Sequence, residues 1–140
     1  MTKEDVPFIT RTILFSYQSG NRFIRSIDKD SYLRNHNLDI LEAIGNSDCL
    51  LVVDTKDQSL ILGFIAFHSR EINTILHFVY VRNDFRGMGI SRKMLEIMKE
   101  KSKSQNLILS HLTDSFKPAA MKKYGYSKVL FNPYILRIYT

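Results

Sequence analysis

One segment, residues 74–98, combines a strand, a glycine-containing loop and a helix, and it constrains the fold more than any other part of the sequence. It starts with an apolar run at 75–81 that is rich in β-branched and aromatic residues, as strands are. A turn-forming loop at 83–89 follows, and apolar residues then recur at helical spacing. Free backbone N–H groups at a helix N-terminus, together with the helix dipole, favour a bound anion. The segment therefore predicts a phosphate or pyrophosphate site where the loop meets the helix.

The loop carries residue types that suit such a site. Gly87 and Gly89 have no Cβ and let the backbone approach a bulky anion, and Arg86 adds a cation. Two common phosphate loops are absent from the sequence. The G-x-x-x-x-G-K-[ST] pattern does not occur, and Arg92 stands where the dinucleotide fingerprint G-x-G-x-x-G would have its third glycine.

The run Arg86-Gly87-Met88-Gly89-Ile90-Ser91 resembles the acetyl-CoA-binding motif [R/Q]-x-x-G-x-[G/A] of the GNAT-type N-acetyltransferases. Ser91 stands in place of the family's Gly or Ala and is small enough to fit. The run Leu62-Gly63-Phe64-Ile65 is similar to one that the family carries on its preceding strand. The resemblance implies that strand backbone pairs with the pantetheine arm of acetyl-CoA and that the loop holds the pyrophosphate. The implied cofactor-binding residues are Val79, Tyr80, Val81, Arg86, Gly87, Met88, Gly89, Ile90 and Ser91.

Periodicity and turn residues predict the other elements along the chain. Helices are expected at 6–18, capped by Asp5, and from the cap Asp30 to Ile44, with 20–30 an irregular connection. The second helix should bury Leu33, Leu38, Leu41 and Ile44. Strands are expected at 49–53, 60–67, 74–81 and 107–112, a helix at 89–103, and a short helix at 116–124 capped by Asp114 or Ser115. A final pair of strands is expected at 126–131 and 134–139.

This order of elements resembles the GNAT fold over nearly the whole chain. It implies an α/β (α+β) protein with a mixed, mostly antiparallel sheet flanked by helices, in which the cofactor strand splays from its parallel neighbour in a V. The family usually has a strand before its first helix, and only Met1-Thr2-Lys3 precede the first predicted helix, so that strand is expected to be vestigial or missing.

Acetyl transfer to an amine requires a base for the amine and an acid for the leaving thiolate. His77, on the cofactor strand with the same alternation as Val79 and Val81, is the candidate base. The resemblance places a tyrosine acid where this sequence has Met121, so Tyr124, three residues on, is the candidate acid. Further candidates are His111 and Thr113, whereas His36 and His68 are expected to face solvent. Candidate substrate-lining residues are Tyr17, Phe23, Asn132 and Tyr134.

Composition bounds the class of protein. The 140 residues suit a single domain, 1–140, and no apolar run approaches the roughly 20 residues that span a bilayer. No secretory signal is expected at the N-terminus, and the single cysteine, Cys49, is expected to be a buried hydrophobe in a reduced cytoplasm. No metal site is predicted. The net charge of +6 favours anionic ligands such as acetyl-CoA and also permits nucleic acid.

The function that follows is N-acetyl transfer from acetyl-CoA to a primary amine on a small molecule or protein, by a monomer or homodimer. Two alternatives stay open at this point. One is a GNAT-shaped acyl-CoA-binding protein with weak or no turnover, favoured by Met121 and Ser91. The other is a protein that modifies a base amino group of nucleic acid, although no aromatic residues interleave with the lysines of the helix at 89–103. The runs Asp5-Val6-Pro7-Phe8-Ile9 and Asn132-Pro133-Tyr134 also look like short GNAT proteins encoded by bacteriophages.

Overall fold

The computed structural model describes residues 1–133 and residue 135 of the chain. The α-helices in this part are α1 Val6–Gly20, α2 Arg22–Arg25, α3 Lys29–Gly45 and α4 Ile90–Ser102. The strands are β1 Asp48–Val53, β2 Ile61–Ser69, β3 Asn73–Val81, β4 Asn106–Leu109 and β5 Lys128–Phe131. Two 3₁₀ helices lie at Asn83–Phe85 and Pro118–Tyr124.

The strands form one mixed sheet in the order β1-β2-β3-β4-β5. The first three strands make an antiparallel meander, as their short polar links predict. Helix α4 then carries the chain across to β4, which pairs parallel to β3, and β5 pairs parallel to β4. This arrangement confirms the predicted α/β fold with a mixed sheet.

The sheet has a hydrophobic core on each face. On one face α1 and α3 pack against the sheet, with Ile9, Ile13, Ile40 and Ile44 meeting Phe64. On the other face α4 and the second 3₁₀ helix bury a cluster that contains Ile65, Phe67, Leu76, Met94, Met98, Leu107 and Met121. Because both faces are covered, β2 and β3 are almost continuously apolar rather than alternating.

The caps of the first two long helices differ from the prediction. The Asp5 carboxylate caps no N–H of α1 and instead accepts hydrogen bonds from the backbone N–H and Oγ1 of Thr2. Helix α3 starts earlier than predicted, because Asp28 rather than Asp30 is its N-cap and accepts from the Ser31 N–H at 3.0 Å. A cap must precede the first turn, and Asp30 already lies within it.

The predicted apolar face of α3 is wrong in part. Ile44 is buried, but Leu38 is 70% exposed and Leu41 also faces solvent, whereas Tyr32 and Ile40 are buried. The prediction followed the leucines, but the helix turns its Tyr32–Ile40–Ile44 side towards α1. The connection at 20–30 is also more regular than expected, since Asn21 caps the single turn α2 by accepting from Phe23 and Ile24.

The C-terminal elements correspond in position to the prediction but differ in type. Residues 118–124 form a 3₁₀ helix that is capped by neither Asp114 nor Ser115 and is followed by Gly125 in the left-handed region. Strand β5 pairs parallel with β4. Its predicted partner at 134–139 falls largely outside the described residues, as residue 134 and residues 136–140 are not among them. Within the described chain, no helix is both long and apolar enough to cross a membrane.

Gly63 of β2 lies too close to β3 to carry a side chain without a shift. A Cβ at this position would lie 2.7 Å from the Tyr80 carbonyl oxygen and 3.5 Å from side-chain atoms of Ile90 and Met94. The oxygen belongs to backbone, so it cannot move aside without shifting β3. The glycine in the Leu62-Gly63-Phe64-Ile65 run is therefore required by the packing of β2 against β3 and α4.

We expect Gly63→Ala to lower the free energy of unfolding by about 2 kcal/mol, because overpacked cores lose roughly 1–3 kcal/mol. Gly63→Val should cost more, since its extra methyl groups meet Ile90 and Met94. Urea denaturation at pH 7 measures both variants. Gly45→Ala is the matched control, because a Cβ there meets no atom within 4 Å and stability should be unchanged or raised. Equal stability of the Gly63 and Gly45 variants would contradict the packing argument.

Candidate active site

The sheet opens between β3 and β4. The two strands pair from Asn73↔Asn106 to Leu76↔Leu109, and the last hydrogen bond between them runs from the Ser110 N–H to the Leu76 carbonyl at 3.2 Å. Strand β3 continues to Val81 beside β2, while β4 ends at Leu109. Beyond Leu76, the edge of β3 on the β4 side therefore borders a cavity of about 750 Å³.

The peptide groups of β3 alternate between its two neighbours. The Arg82 N–H donates to the Leu62 carbonyl at 2.8 Å, and the Tyr80 carbonyl lies against Gly63, so both of these groups face β2. The peptide groups of Val79 and Val81 consequently point the other way, towards the opening. Tyr80, also a predicted cofactor-binding residue, lines the same cavity, but its carbonyl faces β2, and its ring packs against Phe64 with ring centroids 5.4 Å apart.

The loop after β3 lines the same cavity through Arg86, Gly87, Gly89, Ile90 and Ser91. Both glycines have a φ of 79°, in the left-handed region, and a Cβ on either would meet no atom within 4 Å. Gly89 is the N-cap of α4 and has no side chain with which to cap it. The first N–H groups of α4 therefore keep their hydrogen-bonding capacity for a ligand, at the positive end of the helix dipole.

Arg86 is held beside these N–H groups. Its Nε donates to the Val81 carbonyl at 3.0 Å, which ties the guanidinium to the end of β3. The contact leaves both terminal nitrogens of the guanidinium for an anion, the kind of group that arginine binds in a bidentate manner. It also occupies one of the two Val81 backbone groups that face the opening.

The opposite wall of the cavity comes from the end of α1 and the segment after β4. Ser16, Ser19 and Gly20 contribute from α1, and Thr113, Ser115 and Phe116 from the segment. Two hydrogen bonds hold these parts together: the Asp114 N–H donates to the Gly20 carbonyl, and Asn21 Nδ2 donates to the Leu112 carbonyl, both at 2.7 Å. The wall therefore presents hydroxyl groups and has a fixed position relative to α1.

His77 lies at a β-bulge and does not follow the alternation of Val79 and Val81. Ala66 of β2 is opposite Phe78 and Phe67 is opposite Leu76, so His77 has no partner in the register. The bulge interrupts the period of two on which the prediction depended. His77 is 3% exposed, and it lines a smaller cavity of about 30 Å³ between the diverging strands. Phe78, Val79, Thr113 and Phe116 border both cavities.

A hydrogen-bonded chain leads from His77 to the surface. His77 Nδ1 lies 2.8 Å from Ser110 Oγ, which lies 2.9 Å from His111 Nδ1. His111 Nε2 lies 2.9 Å from Nε2 of His36, on α3. His36 Nδ1 is 3.7 Å from an Asp39 carboxylate oxygen, an electrostatic contact longer than a hydrogen bond. His36, expected to face solvent, is therefore half-buried and joined to the site.

Burial keeps these imidazoles neutral near pH 7. Burial, with a smaller contribution from His68, lowers the pKa of His77 to about 4. Burial, followed by His36 and His77, holds the pKa of His111 well below its usual value, although the His77 carbonyl opposes the shift. Burial also lowers the pKa of His36, against the opposing effect of Asp39. A neutral imidazole has one donor and one acceptor nitrogen, so each can accept a proton.

Comparison with known proteins identifies the family. The model of the acetyltransferase (GNAT) domain matches residues 46–128, more than half of the chain. The chain belongs to the GNAT acetyltransferase family. Membership confirms the prediction of an acetyl-CoA-dependent acyltransferase that uses acetyl-CoA as cosubstrate. Among curated proteins, no match was found.

Solved structures share the GNAT fold at low sequence identity. A Pyrococcus furiosus protein described as an acetyl transferase is 18% identical, with 98% of this chain and 85% of that chain covered and a TM-score of 0.55. A predicted acetyltransferase of Clostridium acetobutylicum, solved with acetyl-CoA, is 17% identical, with 91% and 86% covered and a TM-score of 0.55. A GNAT-family acetyltransferase of Staphylococcus aureus Mu50 is 19% identical with a TM-score of 0.52, and the match covers 74% of this chain and 63% of that one.

Met121 occupies the position at which the resemblance predicted a catalytic tyrosine. Met121 is 2% exposed and belongs to the core under α4. Tyr124, the predicted substitute, lines a separate surface hollow with Arg92, Glu96, Lys99, Glu100 and Lys123. The short 3₁₀ helix therefore turns Tyr124 towards the outer side of α4, and the structure does not bring it to either cavity described above.

The predicted substrate-lining residues are dispersed. Tyr17 is buried, with its ring centroid 4.7 Å from that of His111, and Phe23 is 68% exposed beside Arg22. The Asn132 N–H extends the pairing of β5 by donating to the Leu109 carbonyl at 2.9 Å. Tyr134 lies outside the described residues. None of the three described residues lines the large cavity, whereas Ser16, Ser19 and Thr113 do.

Sequence reasoning missed Ser110 and the connection of His36 with Asp39. The spacing of His36 and Asp39, three residues apart on a helix, puts them on one face and was a usable clue. Ser110 gave no such clue, because a serine at the end of a strand is common and its contact with His77 depends on the bulge.

Proposed function

We propose that residues 1–140 form a single acetyltransferase domain that moves an acetyl group from acetyl-CoA to a primary amine where β3 and β4 diverge. One observation carries this proposal. The outward peptide groups of Val79 and Val81 and the N-terminus of α4 line one continuous cavity of about 750 Å³. A groove that combines strand backbone with a helix N-terminus suits an amide-containing arm joined to a pyrophosphate.

Each part of the cavity has a role in this proposal. Val79 and Val81 hydrogen-bond the pantetheine arm, and the backbone of residues 86–91, with the Arg86 guanidinium, holds the pyrophosphate. Acetyl-CoA, when bound, supplies an acetyl thioester. His77 accepts the proton that the amine must lose before it attacks, and its ring lines the small cavity beside Val79.

The charge around the cavity supports deprotonation of the amine within the site. Among the described residues that line the large cavity, Arg86 carries the only formal charge at pH 7. A cationic site suits the phosphates of acetyl-CoA and does not stabilise an ammonium ion.

We place the protein in the cytoplasm. Burial raises the pKa of the single cysteine, Cys49, to about 11, so its thiol stays protonated and unreactive there.

Binding of acetyl-CoA is the first test. We expect a ligand concentration of 100 times Kd to stabilise the folded state by about 2.7 kcal/mol, because it binds only that state. For a chain of this length that corresponds to a rise in Tm of roughly 5–10 °C in a thermal melt. AMP at the same concentration is the control, since it lacks the pantetheine arm and the pyrophosphate. A Tm that does not change with millimolar acetyl-CoA would refute the cavity assignment.

The burial of Met121 and the outward position of Tyr124 favour a second candidate function, an acyl-CoA-binding protein without turnover. Thiol release from acetyl-CoA, measured with a panel of polyamines, amino acids and lysine peptides, separates the two. Stabilisation by acetyl-CoA together with release above the uncatalysed rate supports the acetyltransferase. Stabilisation without release for any amine supports the binding protein.

A further inference from the structure

The chain from His77 to Asp39 has the composition of a proton relay. The His77 Nδ1–Ser110 Oγ distance is 2.8 Å. The Ser110 Oγ–His111 Nδ1 and His111 Nε2–His36 Nε2 distances are both 2.9 Å, so each link is within hydrogen-bond distance. It begins at a buried residue beside the diverging strands and ends at Asp39, whose side chain is 35% exposed. Each internal member can donate a proton on one side while accepting one on the other.

Asp39 selects one direction for these hydrogen bonds. Its carboxylate lies 3.7 Å from His36 Nδ1 and favours an N–H on that nitrogen. A neutral His36 then has an unprotonated Nε2, which accepts from the Nε2–H of His111. His111 Nδ1 in turn accepts from the Ser110 hydroxyl, and Ser110 Oγ accepts from the Nδ1–H of His77. This order leaves the Nε2 of His77 as a free proton acceptor.

We propose that Ser110, His111, His36 and Asp39 form a relay that carries the proton accepted by His77 to solvent during acetyl transfer. The inference rests on the proposed function for the source of that proton. It assigns His77 as the catalytic base and the other four as positioning residues that act through it. In this arrangement no imidazolium ion needs to persist in the buried site, because each proton that arrives displaces the next one outward.

The protons and bonds balance in this scheme. An ammonium group gives one proton to His77 Nε2. The Nδ1–H of His77 passes to Ser110, the Ser110 hydroxyl proton to His111 Nδ1, and the Nε2–H of His111 to His36 Nε2. The Nδ1–H of His36 leaves to Asp39 or water. The free amine then forms its bond to the acetyl carbon, the carbon–sulfur bond breaks, and the second proton lost by the amine goes to the thiolate.

Other titratable groups surround the chain on each packed element. Tyr17 of α1 contacts His111, and Tyr32 of α3 stacks on His36 with ring centroids 5.5 Å apart. Burial raises the pKa of both phenols, so they stay neutral. Tyr32 also donates to the Leu14 carbonyl at 2.8 Å, and His68 of β2 acts on His77 through its charge. Asp39 is thus the group in this set that brings a negative charge to the chain.

The position of the N–H on each histidine tests the proposal. In ¹⁵N-histidine-labelled protein at pH 7, long-range ¹H–¹⁵N spectra distinguish protonated from unprotonated ring nitrogens. We expect the N–H on Nδ1 in His77, on Nε2 in His111 and on Nδ1 in His36, with and without CoA. An N–H on Nε2 of His77 in both samples would overturn the relay direction, and with it the proposal.

Asp39→Ala tests the coupling along the chain. We expect the N–H of His36 to move to Nε2, each donor to reverse, and His77 to carry its N–H on Nε2. Asp39→Glu should restore the wild-type pattern. Glu42→Ala, which removes an exposed carboxylate from the same helix, is the matched control and should change none of the three rings. A change confined to His36 would show that no relay connects it to His77. These spectra do not depend on acetyl-CoA, so a failed relay and a failed cofactor assignment are distinguishable.

Discussion

Gly89→Glu should lower the affinity for CoA by a factor of about 10³ or more. Gly89 is the N-cap of α4, lines the large cavity and has open space where a Cβ would be. A carboxylate there would stand beside the proposed pyrophosphate, and two like charges about 4 Å apart repel by roughly 4 kcal/mol near a protein surface. Isothermal titration calorimetry with CoA measures the loss directly.

Two control variants separate charge from backbone strain. Gly89→Ala shares the cost of a φ of 79° but adds neither charge nor bulk, so we expect its affinity to fall by about tenfold at most. Gly89→Lys adds the bulk with the opposite charge and should bind better than Gly89→Glu. If folded Gly89→Glu protein binds CoA as tightly as the wild type, the loop does not hold the pyrophosphate.

The conformation of the loop was predictable because it depends on local backbone. Gly87, Gly89 and the start of a helix are read directly from residue types, and the structure gives both glycines the left-handed conformation that permits this turn. The order of the first four strands followed from short links and one crossover helix for the same reason. Those inferences require little knowledge of what packs against the segment.

The face of β3 on which the His77 side chain lies was not predictable in this way. Its position on β3 was right, but alternation along a strand assumes an unbroken register, and the bulge opposite Ala66 and Phe67 removes that assumption. The face of α3 was misjudged for a related reason. Leu38 is apolar but exposed, because α1 and the sheet pack on the side that carries Ile40. Tertiary packing decided both cases.

The histidine chain joins residues that lie far apart in the sequence. His36 and His111 are 75 residues apart, and their contact joins α3 to the segment that follows β4. Each histidine alone is an ordinary core or surface residue. Only the contacts among these residues indicate a path for protons. The lowered pKa values of the three histidines indicate how this path affects the free energy of unfolding.

Lowering the pH should destabilise the folded protein well before its carboxylates titrate. His77 has a pKa of about 4 in the folded chain against 6.5 in the unfolded chain. Between these values the unfolded state binds more protons, so the free energy of unfolding falls as the pH decreases. The difference of 6.5 − 4 = 2.5 pKa units corresponds to roughly 3 kcal/mol for His77, and His36 and His111 act in the same direction.

Urea denaturation at pH 7 and pH 5 measures the larger part of this loss, because the interval of 6.5 − 5 = 1.5 pKa units at pH 5 corresponds to roughly 2 kcal/mol for His77. We expect the free energy of unfolding to change less with pH in His77→Asn than in the wild type, because asparagine keeps a hydrogen-bonding group near Ser110 but binds no proton. Carboxylates whose pKa is lowered on folding, such as Asp5 and Asp28, contribute only near and below their ordinary value of 3.8, outside this window. Equal stability of the wild type at pH 7 and pH 5 would mean that His77 and His111 bind protons as readily in the folded protein as in the unfolded chain. Burial would then not be what keeps these imidazoles neutral.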